Sequence, residues 1–570
     1  MDWFQDWDPA WIVFEDDALV VVDKPAFVPS QAADPAQADD VPARLRRHLA
    51  ARGAGPVYLG VHQRLDQATS GLLLYTKDRA LNAPIAAAFE ARQVQKSYLA
   101  LVTGWRGGAR TLTDRLAAVP HAASSAARRR VTSHGKAELA ITHVLPLERR
   151  GERTLLELTL ETGRTHQARV QLQGAGAPIV GDVWYGGAPA PRLCLHSARL
   201  QIPLEGRRTL RFEAPVPEEF RAWLAGQPDP ASVYDDEATL RERLRAAATK
   251  RYWLGRPDLH DLARRTETYR LVHAGGDGLP ELAVDVYGAH VVAQFYGEDG
   301  AFADPARRAR VLDVLAEQFR GVYQVVRPKQ ANVLVSTRRD DLSPATPVRG
   351  VAAPDPLIVL EEGLPVRTKL GDGLATGIYL DQRANRAWVA AQAAGRSVLN
   401  LFSYTSLFSV AAARGGAIRT VSVDASAVAL ERARENFLEA GLWDPDKHTL
   451  VAEDVFAWLA RMQRKSERFD LVVCDPPAYS TTKKHRFSTA DGGWIELAGL
   501  ALGVLAPGGQ LLAFTNHRKT PRLRFRKQLS EGAARAKIQL VGIKDRPDAA
   551  DFPPPFGEDA YLKGLVVTRA

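Results

Sequence analysis

The chain has 570 residues, of which 46% are hydrophobic and 25% charged, so it is too long for one ordinary domain and too apolar for wholesale disorder. Only two cysteines occur, which excludes a disulfide framework and a cysteine-based zinc or iron–sulfur site. The net charge of +9 is spread, with 28 Lys+Arg against 24 Asp+Glu in residues 1–225 and 47 against 42 beyond, as suits a protein that meets a polyanion at more than one place or one from an arginine-rich proteome. At roughly 150 residues per domain the length suggests about four packing units. No apolar run approaches the ~18–20 residues that span a bilayer. The start, Met1-Asp-Trp-Phe-Gln-Asp, carries acids where a secretion signal needs basic residues. The expectation is a cytoplasmic protein without membrane contact.

In chain order, the apolar runs Ala18–Val22, Leu72–Thr76 and Tyr98–Val102 are bounded by Asp, Lys, Gly and Pro, the pattern of strands. Residues 43–51 and 80–94 have helical composition. Two Pro-bearing stretches, 213–217 and 226–230, mark a boundary. A charged helix over 236–250 reads as a connection. Segments 282–287 and 290–296 alternate in polarity like a hairpin. From about residue 351 short apolar runs (398–402, 420–423, 471–474, 510–514) alternate with Ala-rich stretches (407–414, 425–440), the signature of a doubly wound sheet. The expected division is 1–225, a linker 226–250, a middle β-rich α/β domain 251–350 and a doubly wound domain 351–570.

His62-Gln-Arg64-Leu-Asp66-Gln-Ala-Thr-Ser-Gly71 places a carboxylate two residues after a guanidinium in a loop entering a strand. Such a carboxylate stays ionised, as a nucleophile or base requires; alone, the pair is more often a structural salt bridge. Around it lie Lys96-Ser-Tyr98-Leu-Ala-Leu, Gly163-Arg-Thr-His166-Gln-Ala-Arg169, Pro178-Ile-Val-Gly-Asp182 and Leu195-His196-Ser-Ala-Arg. Arg128, Arg129 and Arg130 read either as a solvated turn or as a phosphate-contacting loop. His166 and His196 lack a third ligand at metal spacing, so no metal is expected.

In this order the segments resemble the RluA-like pseudouridine synthases over about residues 10–225. The resemblance implies a mixed-sheet catalytic domain that binds RNA in a central cleft and needs no cofactor. Asp66 would attack ribose C1′ of a flipped uridine or otherwise assist glycosidic cleavage. Tyr98 would line the base pocket and help remove the C5 proton, Arg169 would pair with Asp66, and Arg64 would fill the space the base leaves. Eversion of a base costs a few kcal/mol, and a planar cation and an aromatic ring are suitable occupants of such a site. Gln63 stands where the family usually has His.

Farther on, Val398-Leu-Asn-Leu-Phe-Ser403-Tyr404-Thr405-Ser406 runs from a strand into a small-residue turn, and Asp424 ends the next strand. A turn at a helix start followed by an acid at the next strand tip is how α/β sheets hold a nucleoside, whether of a methyl donor or of NAD. The missing G-x-G-x-x-G argues against a dinucleotide pyrophosphate. Asp454 is spaced to meet an adenine amino group, and Cys474-Asp475-Pro-Pro477-Ala-Tyr479 closes a strand at the ligand-binding edge.

With Asp381-Gln-Arg383-Ala-Asn-Arg386, these motifs look like class I S-adenosylmethionine-dependent RNA methyltransferases, and most resemble the RlmI-like group acting on large-subunit ribosomal RNA, over roughly 265–570. The resemblance implies S-adenosyl-L-methionine held by Ser403–Ser406, Asp424, Asp454 and Asp475, with Asp381 and Arg383 covering it. Ser406 replaces the glycine usual in that turn. Methylation of cytosine C5 needs a thiolate, for which Cys474 is the candidate; a Cys ending a buried strand also reads as packing. Base-nitrogen methylation, such as guanine N7, needs none. The basic runs holding Lys483 and Lys484, and Arg518, Lys519 and Arg524, flank this edge and read as RNA contacts against the usual solvated surface.

The expected architecture is α/β and α+β multidomain: a mixed-sheet synthase fold, a small β-rich middle domain and a Rossmann-like methyltransferase sheet. The expected protein is a bifunctional RNA-modifying enzyme whose partner is RNA, ribosomal RNA foremost. The alternatives are a nicotinamide oxidoreductase or a ribosome-assembly factor with one inactive domain.

Overall fold

The computed structural model of the chain describes residues 2–32, 39–55, 57–119, 128–132, 137–204, 209–226, 229–297, 300–327, 342–373, 375–477, 479–481, 486–488, 492–555 and 558–570. They form two compact units, Met1–Gly255 and Arg256–Ala570.

The first unit is built on an 11-stranded sheet of β1 (Ile12–Glu15), β2 (Leu19–Lys24), β3 (Gly60–Val61), β4 (Ser70–Thr76), β5 (Gln95–Thr103), β6 (Arg110–Val119), β7 (Arg128–Val131), β8 (Glu138–Arg150), β9 (Arg153–Leu160), β10 (Leu195–Ile202) and β11 (Leu210–Glu213). The order is β1-β2-β4-β10-β5-β9-β8-β6-β7, with β3 beside β4 and β11 beside β10. The β4–β10 pair is parallel inside an otherwise antiparallel path, which makes the sheet mixed. β2 and β4 read as continuous apolar runs because both faces are covered. Val20, Val22, Leu73 and Tyr75 pack with Leu45 and Leu49 of α1 (Val41–Leu49) on one side. Leu19, Val21, Leu72 and Leu74 pack with Ile85 and Ala88 of α2 (Asn82–Glu90) on the other. β8 alternates instead, burying Ala140, Thr142 and Val144 while its outward residues stay wet.

Helices α3 (Gln167–Gly174), α4 (Glu218–Ala225) and α5 (Glu237–Lys250) complete the unit. α5 lies in the stretch read as a linker. Asp236 caps it through the Thr239 amide, and Leu240, Leu244, Ala247 and Ala248 bury its inner stripe within the first unit. Just beyond it, the Tyr252 ring lies 3.4 Å from the Arg44 guanidinium.

The second unit opens with a five-stranded sheet in chain order: β12 (Thr268–His273), β13 (Leu282–Tyr287), β14 (His290–Tyr296), β15 (Gly321–Arg327) and β16 (Arg349–Gly350), with α6 (Pro305–Ala316) between β14 and β15. A hairpin, β17 (Leu357–Glu361) and β18 (Leu364–Thr368), leads into the larger sheet. Its strands are β19 (Ser397–Leu401), β20 (Arg419–Asp424), β21 (His448–Ala452), β22 (Phe469–Cys474), β25 (Leu505–Thr515), β26 (Leu540–Asp545) and β27 (Lys563–Arg569), with a separate pair β23 (Tyr479–Thr481) and β24 (Arg486–Ser488). The helices here are α7 (Arg383–Gln392), α8 (Leu407–Arg414), α9 (Ala427–Glu439), α10 (Val455–Arg464), α11 (Gly493–Gly503) and α12 (Arg522–Arg535).

The order is β21-β20-β19-β22-β25-β27-β26, with β27 running against its neighbours. Alternate residues of the central strands again divide between faces. Leu399, Leu401, Val472 and Cys474 join Trp458, Trp494 and Phe525 from α10, α11 and α12. Val398, Leu471 and Val473 join Val389 and Phe408 from α7 and α8. The strand order reverses between β19 and β22, and that reversal opens a crevice at their carboxyl ends.

Trp494 is fully buried, with its ring 5.1 Å from Phe525 at 61°. Trp494→Ala is expected to destabilise the second unit by about 3–5 kcal/mol, measured as a shift of its urea transition.

Candidate active sites

In the first unit the loop 62–69 between β3 and β4 presents Asp66. The hydroxyl of Ser30 donates to the Leu65 carbonyl (2.8 Å) and accepts from the Leu65 amide (3.0 Å). The Phe27 amide donates to the Gln67 carbonyl at 2.8 Å. Lys24, wholly buried in β2, donates from Nζ to the carbonyls of Pro25 (3.0 Å), Val28 (2.9 Å) and Gln67 (3.1 Å). Burial drives its ammonium well below the usual lysine range. These bonds fix the backbone on both sides of Asp66, whose side chain keeps 28% of its surface exposed.

Arg169, in the first turn of α3, faces that carboxylate: Nη1 donates to Asp66 Oδ2 at 2.9 Å. Its Nε and Nη2 form a fork on Asp182 at 2.7 and 2.8 Å. Burial alone would lower the guanidinium pKa, but the two carboxylates more than reverse it, so Arg169 stays charged. The rings of Trp184 and Tyr185 lie 5.3 and 5.1 Å from it. His166, held at φ +56°, bonds Tyr185 Oη through Nδ1 at 2.9 Å and brings Nε2 within 3.7 Å of Asp66. Tyr98 on β5 is pushed up to about 12, by burial first and by the Asp66 charge second, so it is a neutral phenol near pH 7.

Asp66, Tyr98 and Arg169 therefore converge from a loop, a strand and a helix. Arg64 lies exposed on the same loop, with Nη1 3.3 Å from Gln31. His62 is turned to Thr76 (3.2 Å) and stacks on Phe89, away from the carboxylate. His196 is buried against Ser70 (2.7 Å) and lowered to about 4 by burial and then Arg192. No cluster of metal-ligating side chains occurs among the described residues. Arg128, Arg129 and Arg130 form an edge strand on β6 rather than a turn; their side chains lie outside the described residues. Neither Asp182 nor Lys24 carries a role in the sequence reading. A buried acid between Gly181 and a Trp-Tyr pair, and a Lys ending an apolar strand, were the available signals.

In the second unit β19 ends in a strained turn. Phe402, Tyr404 and Ser406 have φ of +56°, +48° and +55°, a region costly for any residue with a Cβ. The cost at Ser406 explains why a glycine suits this position. The turn is pinned by Ser403 N to Val423 O (3.1 Å), Tyr404 N to Asp424 Oδ2 (2.8 Å), and Thr405 Oγ1 to Gly377 O (2.7 Å). Inside it, the buried hydroxyls of Ser403 and Ser406 have no hydrogen-bond partner among the described residues. Unpaired buried hydroxyls are uncommon and suit a polar ligand. Asp424 also accepts the Ser426 amide (2.9 Å), so its carboxylate is fixed at the strand tip. Asp454 caps α10 through the Ala457 amide at 3.0 Å.

Asp475 follows β22 at the crevice. Gln382 Nε2 donates to it at 2.9 Å. Burial first and the Asp381 charge second raise Asp475 to about 7. Asp381 accepts the Tyr561 hydroxyl. Arg383 forks onto Asp551 at 2.8 and 3.0 Å in a buried pair. Cys474 lies one residue inside the rim, paired between Leu401 and Ala513 and fully buried, and burial drives its thiol far above the usual range. Arg518, Lys519 and Arg524 are exposed. Lys483 and Lys484 lie outside the described residues, as does the side chain of Tyr479.

The profile of the RNA pseudouridylate synthase family matches residues 18–174, and that of the S-adenosylmethionine-dependent methyltransferase family residues 332–565. The chain is 36% identical over 303 residues to the ribosomal RNA large subunit methyltransferase I of Shewanella amazonensis, covering 52% of this chain and 74% of that relative. Against the Shewanella denitrificans protein of the same name the values are 33% over 340 residues, 59% and 82%. Among solved structures, SMU.776, assigned as a methyltransferase and complexed with SAH, aligns at 26% identity and a TM-score of 0.50, covering 65% of this chain and 87% of that one.

Asp182 has a fully buried carboxylate carrying two of the three bonds that hold Arg169. Asp182→Ala is expected to destabilise the first unit by about 3–5 kcal/mol, read in its denaturant transition, because the guanidinium loses most of its compensation.

Proposed function

The chain belongs to the ribosomal RNA large subunit methyltransferase I family and carries an RNA pseudouridylate synthase domain ahead of that region, and from this premise we propose that it performs both modifications on RNA, the first unit isomerising uridine and the second methylating a base. The observation that carries the proposal is the pair of separate, differently built sites: an accessible carboxylate on a doubly anchored arginine, and, at a sheet reversal, a pinned turn whose hydroxyls have no partner among the described residues.

In the first site Asp66, hydrogen-bonded by Arg169, bonds through a carboxyl oxygen to C1′ as the C1′–N1 bond breaks. The freed uracil turns and rejoins C1′ through C5 as the Asp66–C1′ bond breaks and returns the carboxylate; C5 then gives up its proton and N1 takes one up. Tyr98, a neutral phenol, lines the base pocket and accepts at its oxygen only as it releases its own proton. Arg169 cannot follow Asp66 outward, because Asp182 holds its other edge. Arg64, exposed and long, occupies the gap left by the everted base.

In the second site the hydroxyls of Ser403 and Ser406 and the pinned Tyr404-Thr405 backbone fit the polar tail of S-adenosyl-L-methionine. Asp424 fits its ribose hydroxyls through the lone pairs its backbone bonds leave over, and Asp454, at the start of α10, fits its adenine edge. The cofactor, when bound, supplies an electrophilic methyl group. Asp475 borders the transfer, while Asp381 and Arg383 act on this edge through the segment they anchor.

The names of the relatives support large-subunit ribosomal RNA as substrate and hence a cytoplasmic location; no helix among the described residues is long and apolar enough to cross a membrane. Arg518, Lys519 and Arg524, with Lys483, Lys484 and Arg128–Arg130, are the proposed backbone contacts. Family resemblance supports cytosine C5 as acceptor. The sealed, protonated Cys474 favours a second reading, a base nitrogen such as guanine N7, which needs no thiolate. Cys474→Ala separates them: loss of methylation supports the carbon target, retention the nitrogen.

Asp66→Asn is expected to abolish tritium release from C5-labelled uridine in RNA, and unchanged release would remove Asp66 from the chemistry. Because burial raises Asp475, its carboxylate is protonated below about pH 7 and ionised above it. Methyl transfer is therefore expected to rise with pH through about 7, and Asp475→Asn to abolish it at every pH.

A further inference from the structure

His166 takes no part in the chemistry derived for the first unit, yet it is held beside the reacting acid at some cost. It stands immediately before α3 in the left-handed region, at φ +56°, where a residue with a Cβ is disfavoured. Its side chain is 7% exposed and turned toward Asp66. The segment 182–185 meets it from the other side. Asp182 Oδ1 accepts the Trp184 amide at 3.2 Å, and the Trp184 ring lies 5.3 Å from both the imidazole and the Arg169 guanidinium. The Tyr185 ring stands at 81° to the imidazole, 5.8 Å away, with its hydroxyl 2.9 Å from Nδ1. One short strap thus fixes both groups that face Asp66.

Both groups address the same oxygen. Arg169 Nη1 donates to Asp66 Oδ2 at 2.9 Å, and His166 Nε2 lies 3.7 Å from that atom. Oδ1 accepts no hydrogen bond among the described residues. The torsion that turns a carboxyl group is soft, so a single donor leaves its plane free to swing about the bond it makes. A second donor arriving from another direction fixes that plane and holds one oxygen inward and the other outward. The 3.7 Å separation is beyond hydrogen-bond length, as catalytic contacts commonly are until substrate is bound.

We infer that His166 is a positioning residue for the glycosidic step. Tyr185 donates to Nδ1, the ring therefore carries its proton at Nε2, and that N–H joins Arg169 on Oδ2, so that Asp66 is fixed with Oδ1 toward ribose C1′. The inference rests on the synthase reading of the first unit. In the full chain, His166→Asn suits the left-handed backbone and keeps an amide near the Tyr185 hydroxyl, but it is too short for Asp66. It is expected to lower kcat for tritium release from C5-labelled uridine in RNA by about tenfold, with KM within about twofold, as one polar contact made in the reacting state is lost. Rates are taken per folded chain, from the denaturant transition of the first unit. His166→Gln, whose Nε2 reaches as far as that of the imidazole, is expected to recover most of the loss. Tyr185→Phe keeps the ring beside Arg169. Alone it is expected to lower kcat about threefold, and added to His166→Asn not at all, because Tyr185 acts through His166. Unchanged kcat in His166→Asn, a Gln variant no better than the Asn one, or losses at the two positions that multiply would each overturn the inference. If the unsubstituted chain releases no tritium, or Asp66→Asn releases it at full rate, the synthase reading fails and the inference with it. If those two behave as expected and the His166 and Tyr185 variants match the unsubstituted chain, only the positioning role fails.

Discussion

Arg169 is held between two carboxylates, and the first unit is organised around that division. Asp182, buried beneath α3, takes two of its N–H groups and Asp66 takes one. A guanidinium bound to Asp66 alone would need burial for rigidity, and that burial would carry Asp66 inward with it. With Asp182 as the inner anchor, Arg169 is rigid while Asp66 keeps a solvent-facing edge. Lys24 does the matching work from the other side, tying three carbonyls so that the loop cannot relax toward its cation.

The second unit solves the same problem with backbone strain. Left-handed residues at 402, 404 and 406 turn the chain sharply after β19, and bonds to Asp424, Val423 and Gly377 hold it there. Two hydroxyls are buried at that turn without partners among the described residues, a cost of about 1–3 kcal/mol each that a polar ligand would offset. On the neighbouring rim burial first and the Asp381 charge second raise Asp475, the acid that follows β22, to about 7.

Much of this was legible in the sequence where the signal is local. The runs 398–402, 420–423 and 471–474 became β19, β20 and β22 with little change, because strands buried on both faces are continuous apolar runs. The Asp66 and Asp424 positions were marked by loops and strand tips. What escaped notice depends on partners far apart in the chain. Asp182 becomes an anchor only when α3 brings Arg169 to it, and Asp381 acquires Tyr561 from 180 positions away. The 236–250 helix looked unanchored because its apolar stripe is only Leu240, Leu244, Ala247 and Ala248, yet that stripe suffices to pack it into the first unit. Arg128–Arg130 read as a solvated turn or a phosphate-contacting loop, whereas β6 pairs with them as a strand.

If the two units carry the proposed chemistries, they leave two independent marks on RNA. Mass-spectrometric mapping of large-subunit RNA from a strain lacking this protein should show one pseudouridine and one methylated base missing together. Re-expression of the Asp66→Asn chain should restore only the methyl mark, and re-expression of an Asp475→Asn chain only the pseudouridine. Loss of neither mark in the deletion strain, or restoration of both by either variant, would contradict the assignment of separate chemistries to the two units.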